Sequence, residues 1–218
     1  MIYPISLIPH PTSLKNIIFD FGGVICDLDI HKTEEKFRRF GQPKDENPVS
    51  KEEGAAAFEA LVEKLETGKI TPEQFRSTIR DFYQVPPSDN AIDEAWNALL
   101  GRIPAERIRL LEELRKSYRI FLLSNSNIIH YDCYRQDFER DFGYRDFDEL
   151  FEKAWFSFRI GLKKPDPAIF TYVLKEKNLV PGETLFIDDT FVHVEAARSI
   201  GIQGYHLKKS EAITALFH

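Results

Sequence analysis

The chain has 218 residues, 43% hydrophobic and 29% charged, with a net charge of −6, which suits one sizeable globular domain carrying a smaller insertion. The acidic balance argues against nucleic acid or an anionic membrane as the main partner, and no apolar run reaches the length of a membrane span. The two cysteines, Cys26 and Cys133, are too few for a disulfide framework and suit a reducing, cytoplasmic setting in which each is a small apolar filler.

The opening stretch is broken by Pro4, Pro9 and Pro11 and has neither a basic start nor a small-residue cleavage site, so it reads as an extension rather than a secretory signal. Asn16-Ile17-Ile18-Phe19-Asp20 then predicts a short buried strand ending in a carboxylate, followed by a turn loosened by Gly22 and Gly23. From there to about residue 103 the pattern is helical. A helix is expected over Glu34 to Phe40. Ser50-Lys51-Glu52-Glu53 forms a capping box ahead of Phe58, Leu61, Val62 and Leu65, and Gly68 ends that helix. Thr71-Pro72-Glu73-Gln74 is a second capping box, leading Phe75, Ile79 and Phe82. After Pro86-Pro87, a third stripe runs through Ile92, Ala95, Trp96, Leu99 and Leu100. Trp96, Phe58, Phe75 and Phe82 lie at helical spacing and are expected in the core of this bundle first.

Beyond Pro104 helices and strands alternate. The expected order is helix 105–116, strand 119–124, a helix after Asn127 and a Phe-rich irregular stretch. Strand 154–158, helix 167–177, strand 184–188, a helix to Ile200, strand 203–207 and a short helix from Ser210 follow. His130, Tyr131 and Tyr134 are read as ordinary helix residues. This alternation predicts an α/β fold, a Rossmann-like parallel sheet covered by helices. The helical block interrupts it, so residues 1–29 and 101–218 form the core and 30–100 a helical insertion.

Four segments put polar groups at strand ends or helix starts: Asp20; Ser124-Asn125; Lys163-Lys164 before Pro165-Asp166-Pro167; and Asp188-Asp189. Strand C-termini are where open parallel sheets bind ligands. Three carboxylates gathered there repel one another unless a cation joins them, and an all-oxygen ligand set favours Mg²⁺. That chemistry suits phosphoryl transfer, with Asp20 as nucleophile and Ser124, the backbone amides after it and Lys164 on the phosphoryl oxygens. Of the lysine pair, Lys163 is the expected surface residue. Asp166 is read as a helix N-cap, and Asp27 and Asp29 as part of a solvated hairpin.

As a set, Asp-Phe-Gly-Gly-Val, Leu-Ser-Asn-Ser-Asn, Gly-Leu-Lys-Lys-Pro-Asp-Pro and Phe-Ile-Asp-Asp resemble the haloacid dehalogenase-like (HAD) hydrolase superfamily over most of the chain. The wording is most similar to its bacterial sugar-phosphatase branch, which includes α-glucose-1-phosphate phosphatases. The resemblance implies a HAD-like core with a C1 cap and a Mg²⁺-dependent phosphatase acting on a small phosphorylated metabolite, a sugar phosphate, through an aspartyl-phosphate. It implies catalytic roles for Asp20, Ser124 and Lys164, and substrate binding by Ser124, Asn125 and Lys164. Metal ligation falls to Asp20, the Gly22 carbonyl and Asp189, with Asp188 supporting. Lys164 is the family lysine because it directly precedes the proline.

The family's phosphatases carry a second Asp, the general acid/base, where this chain has Gly22. Anomeric or acyl phosphates, whose leaving groups need little protonation, suffer least from that loss. A water or a cap side chain such as His31, Glu34 or Glu66 is the candidate substitute. His193, four residues after Asp189, either supports the metal site or lies on a helix surface. The alternatives are a metal-free haloacid dehalogenase and a non-catalytic member that binds a phosphorylated ligand. The particular sugar, the oligomeric state and the pathway stay open.

Overall fold

In the computed structural model, which describes residues 14–41 and 51–217 (backbone alone for 51 and 52), five strands form one parallel sheet. They are β1 (Asn16–Phe19), β2 (Arg119–Ser124), β3 (Lys153–Phe156), β4 (Thr184–Asp188) and β5 (Gln203–His206), ordered β3-β2-β1-β4-β5. All four residues of β1 are buried, as befits a central strand covered on both faces. Side chains alternate across it. Ile17 and Phe19 meet Leu122 and Ile187 in one core, whereas Ile18 meets Phe121 and Phe186 in the other. In register, Phe19 pairs with Leu122 and with Ile187, so Asp20, Ser124 and Asp188 all emerge at one edge of the sheet.

Between β1 and β2 lie α1 (Ile30–Arg38), α2 (Lys51–Glu66), α3 (Pro72–Phe82) and α4 (Asp89–Trp96), the last continued by a 3₁₀ turn at Asn97–Leu99. They enclose their own core of Leu65, Phe75, Ile79, Tyr83, Ile92 and Trp96. The Thr71 capping box forms as its sequence predicts, Gln74 N donating to Thr71 Oγ1 (3.3 Å) and Thr71 N to Gln74 Oε1 (2.9 Å). Such a cap contributes about 1 kcal/mol. The Ser50 capping box and the opening extension lie outside the described residues. The other helices, α5 (Ala105–Leu114), α6 (Ile128–Phe142), α7 (Ser157–Ile160), α8 (Pro167–Lys177) and α9 (Phe191–Arg198), connect the remaining strands.

Several expectations shift. The strand anticipated over 154–158 stops at Phe156, because Ser157 is drawn inward: its Oγ accepts from Ser126 N (3.0 Å) and donates to Ser126 O (3.1 Å). The first helix begins at Ile30, and the last is only a 3₁₀ turn at Ile213–Leu216. Of the aromatic residues expected in the insertion's core, Phe75 and Trp96 are buried. Phe82 is exposed, and half-exposed Phe58 lies edge-on against Phe37 and Trp96. His130, Tyr131 and Tyr134 lie in α6, as expected of helix residues, and all three are buried.

Candidate active site

Lys164 organises the sheet edge. Its Nζ donates to Asp20 Oδ1 (2.7 Å), Asp188 Oδ2 (2.7 Å) and the Leu123 carbonyl (3.0 Å), using all three ammonium hydrogens. Its side chain is fully buried, as is that of Asp188. Burial alone would discharge this lysine, but Asp20 and Asp188 outweigh it and raise its pKa, so it stays an ammonium. Burial, reinforced by the Asp188 charge and opposed by Lys164, lifts the Asp20 carboxyl to about 7. Asp188 moves the other way. Burial would raise it, yet the Lys164 ammonium and the His193 hydrogen bond hold it well below the usual carboxylate range. The two buried acids are thus driven apart.

Lys164 is aimed through its backbone. Asn125 Nδ2 donates to the Lys164 carbonyl (2.8 Å), and the Lys164 amide donates to Asn125 Oδ1 (2.9 Å). These two hydrogen bonds engage both polar atoms of the Asn125 side chain in holding the lysine loop. Ser124 is buried at the end of β2, with its hydroxyl 3.5 Å from the Asn125 carbonyl, a weak bond that a better acceptor displaces readily. Asp166 caps α8 by accepting from Ala168 N at 2.8 Å.

Asp188 is held by more than the lysine. Thr190 N donates to its Oδ1 (2.7 Å), and His193 Nδ1 lies 3.2 and 3.1 Å from its two oxygens. Of the two readings of His193, the structure therefore has it supporting the acidic pair. Thr190 belongs to none of the four motif segments, yet its Oγ1 also donates to Asp189 Oδ1 (3.2 Å). Its only signal in the sequence is that it directly follows the acidic pair. His206, at the end of β5, donates from Nε2 to the Asp189 carbonyl (3.0 Å). Burial and the Asp188 charge raise the Asp189 carboxyl.

Asp20, Asp188 and Asp189 each bring a carboxylate oxygen within 4.8 Å of the others, and three hard oxygen donors at that separation fit a divalent cation such as Mg²⁺. The backbone makes room for them. Gly23 has φ of +73°, and a Cβ there would sit 2.1 Å from Asp189 Oδ2, so glycine is required. In this loop Gly23 N donates to Cys26 O (2.8 Å), and Ile25 N and Cys26 N to Phe21 O (both 2.8 Å). These bonds do not use the Gly22 carbonyl.

The proposed substitutes for the missing acid are dispersed. His31 and Glu34 pair with each other at 3.4 Å on the exposed side of α1. Glu66 is engaged by Lys163 at 2.5 Å, so Lys163 is a link to α2 rather than solvated surface. Asp27, expected in a solvated hairpin, instead pairs with Arg107 at 2.9 Å.

The D-ribitol-5-phosphate phosphatase of Bacteroides thetaiotaomicron is 28% identical over 194 residues, 88% of this chain and 91% of that protein. The phosphorylated carbohydrates phosphatase of Thermotoga maritima is 28% identical over 197 residues, 87% of this chain and 83% of that protein. A HAD-family enzyme of B. thetaiotaomicron, crystallised with magnesium and inorganic phosphate, superposes with a TM-score of 0.82 at 34% identity, over 94% of this chain and 100% of the other. The sequence pattern that defines the haloacid dehalogenase-like hydrolases matches residues 14–201, and the chain belongs to that family.

Proposed function

We propose that this protein is a Mg²⁺-dependent phosphatase that hydrolyses a small phosphorylated sugar or alditol through a phosphoenzyme on Asp20. The observation that carries this reading is one buried ammonium held 2.7 Å from both Asp20 and Asp188, with Asp189 completing a three-carboxylate cluster. Lys164 fixes Asp20 Oδ1, leaving Oδ2 to attack phosphorus in line with the departing ester oxygen. Ser124 Oγ, the backbone amides that follow it and the Lys164 ammonium neutralise the transferring phosphoryl oxygens. Asp20, the Gly22 carbonyl and Asp189 would hold the metal, while Asp188, already engaged by Lys164, Thr190 and His193, steadies the site. When bound, the cation cancels the repulsion between an anionic nucleophile and an anionic substrate. Water then cleaves the aspartyl-phosphate at phosphorus and returns Asp20 as a carboxylate.

Residues 30–100 act as the cap in this reading, covering the sheet edge and excluding water during transfer. The relatives named for phosphorylated carbohydrates and D-ribitol 5-phosphate support a polyol phosphate as substrate. Gly22 offers no proton to the leaving alkoxide, which forgoes about 10²–10⁴-fold of general acid/base catalysis unless another group supplies it. Both free cysteines are thiols, as a reducing cytoplasm would leave them, and among the described residues no helix is long and apolar enough to cross a membrane.

The test is phosphate release from D-ribitol 5-phosphate and from anomeric sugar phosphates, with Mg²⁺ or EDTA. Metal-dependent turnover supports the reading. Halide release from haloacids that persists in EDTA, or phosphate binding without turnover, overturns it.

A further inference from the structure

The insertion joins the core through two chain segments that bond to each other as a short antiparallel ribbon. Asp27 N donates to Arg102 O (3.0 Å), Gly101 N to Asp27 O (2.8 Å) and Asp29 N to Leu99 O (2.8 Å), with Leu28 bridged to Leu100. Gly101 permits this approach, since a Cβ there would lie 2.7 Å from the Asp27 carbonyl. Asp27 turns its side chain to Arg107 on α5. Leu28, the next residue, turns to the opposite side of the ribbon. There it covers Gly22: a Cβ built on Gly22 would lie 2.7 Å from Leu28 Cδ1 and 3.5 Å from its Cγ. Leu28 is nevertheless 42% exposed, so part of this residue beside Gly22 stays open to solvent. Gly22 has no left-handed backbone strain, and what a side chain at residue 22 would meet first is Leu28.

We infer that Leu28 is a specificity-determining residue, an apolar wall carried on the hinge ribbon that packs against the carbon next to the scissile ester oxygen. This rests on the phosphatase reading above. The wall occupies the space that a carboxylate at residue 22 would need, so the site excludes bulk water from the leaving group where a proton donor is missing. The substrates favoured are phosphate esters that present a C–H edge beside the ester oxygen, such as open-chain alditol phosphates.

The test compares D-ribitol 5-phosphate, whose alkoxide leaves poorly, with p-nitrophenyl phosphate, whose leaving group needs no proton, using the full-length Mg²⁺-loaded protein. Leu28→Ala is expected to lower kcat/KM for the alditol phosphate about tenfold or more, the scale of lost apolar pocket contacts. It should change p-nitrophenyl phosphate by less than about threefold, and Leu28→Met should restore the alditol rate. In a Gly22→Asp background the sign should reverse: Leu28→Ala then frees space for the introduced carboxylate and raises the alditol rate, within the ~10²–10⁴-fold range of acid catalysis. Leu28 is half-exposed, so these variants should keep the wild-type circular dichroism and melting transition. Equal losses on both substrates, or the same effect in both backgrounds, would overturn the inference while leaving the phosphatase reading intact. No wild-type turnover on either substrate would overturn both.

Discussion

Replacing Lys164 with methionine keeps the length and apolar stem of the side chain while removing the charge that holds two buried carboxylates together. Asp20 and Asp188 each lose a 2.7 Å partner, and the Leu123 carbonyl loses one at 3.0 Å. Carboxylate oxygens of the two acids come within 4.8 Å of each other. Where both acids are ionised, above the raised pKa of Asp20, unit charges at that separation repel by up to about 3 kcal/mol at an effective dielectric constant of about 20. Deleting one partner of a buried ion pair typically costs ~3–5 kcal/mol, so the two routes agree. For a chain of this size each kcal/mol lowers Tm by about 2–4 °C, giving a fall of roughly 6–20 °C. The assay is thermal unfolding followed by circular dichroism in EDTA and again in saturating Mg²⁺. Lys164→Met should melt far below wild type in EDTA and recover part of the difference in Mg²⁺, since a cation among the acids replaces the lost charge. A variant that melts within about 2 °C of wild type in EDTA would refute the claim that Lys164 neutralises this pair.

Three further outcomes are expected. His130 is buried, stacks on Trp96 and lies 2.8 Å from Asn97 Oδ1, and burial pushes its pKa from 6.5 down to about 3. The unfolded chain therefore takes up its proton first on acidification. Stability is intact above 6.5 and lost as pH falls from there towards 3, by about 2 kcal/mol between pH 7 and pH 5. His130→Phe should remove that much of the pH dependence in urea titrations, and an unchanged difference between the two pH values would disprove it. Mg²⁺ must displace the proton that Asp20 holds up to about 7, so calorimetry should find apparent affinity rising about tenfold per pH unit below 7 and flattening above it; a flat profile contradicts the site. Gly23→Ala forces a positive φ and drives a methyl into Asp189 Oδ2, so it should lower metal affinity by about tenfold or more, with wild-type affinity as the refuting result.

The sheet and its chemistry were legible in the sequence because they depend on short-range pattern. Apolar runs such as Ile120–Leu123, each closed by a polar residue, mark buried strands whose ends face one edge. Proline, Thr71 and Asp166 likewise mark helix starts through local hydrogen bonds. The unread part consists of contacts between residues far apart in sequence. Glu66 and Lys163 are separated by 97 positions, so no spacing rule connects them, whereas the meeting of Lys164 with Asp20 across 144 positions follows from polar ends sharing one sheet edge. Asn125 carried its amide in plain view, but only the folded loop reveals that both of its polar atoms are used on the Lys164 backbone. Strand β3 ended early for the same reason, since a pair of serine hydrogen bonds between residues 126 and 157 outcompeted β propensity. The wall that Leu28 builds over Gly22 was invisible because glycine's missing side chain gives no pattern to read.

The most direct test of the central claim is mass spectrometry of enzyme quenched in acid during turnover of D-ribitol 5-phosphate with Mg²⁺. The account predicts that the peptide containing Asp20 gains the mass of one phosphoryl group, and that Asp20→Asn neither gains it nor releases phosphate. Sustained phosphate release with no phosphorylated Asp20 peptide, or undiminished turnover by Asp20→Asn, would contradict it.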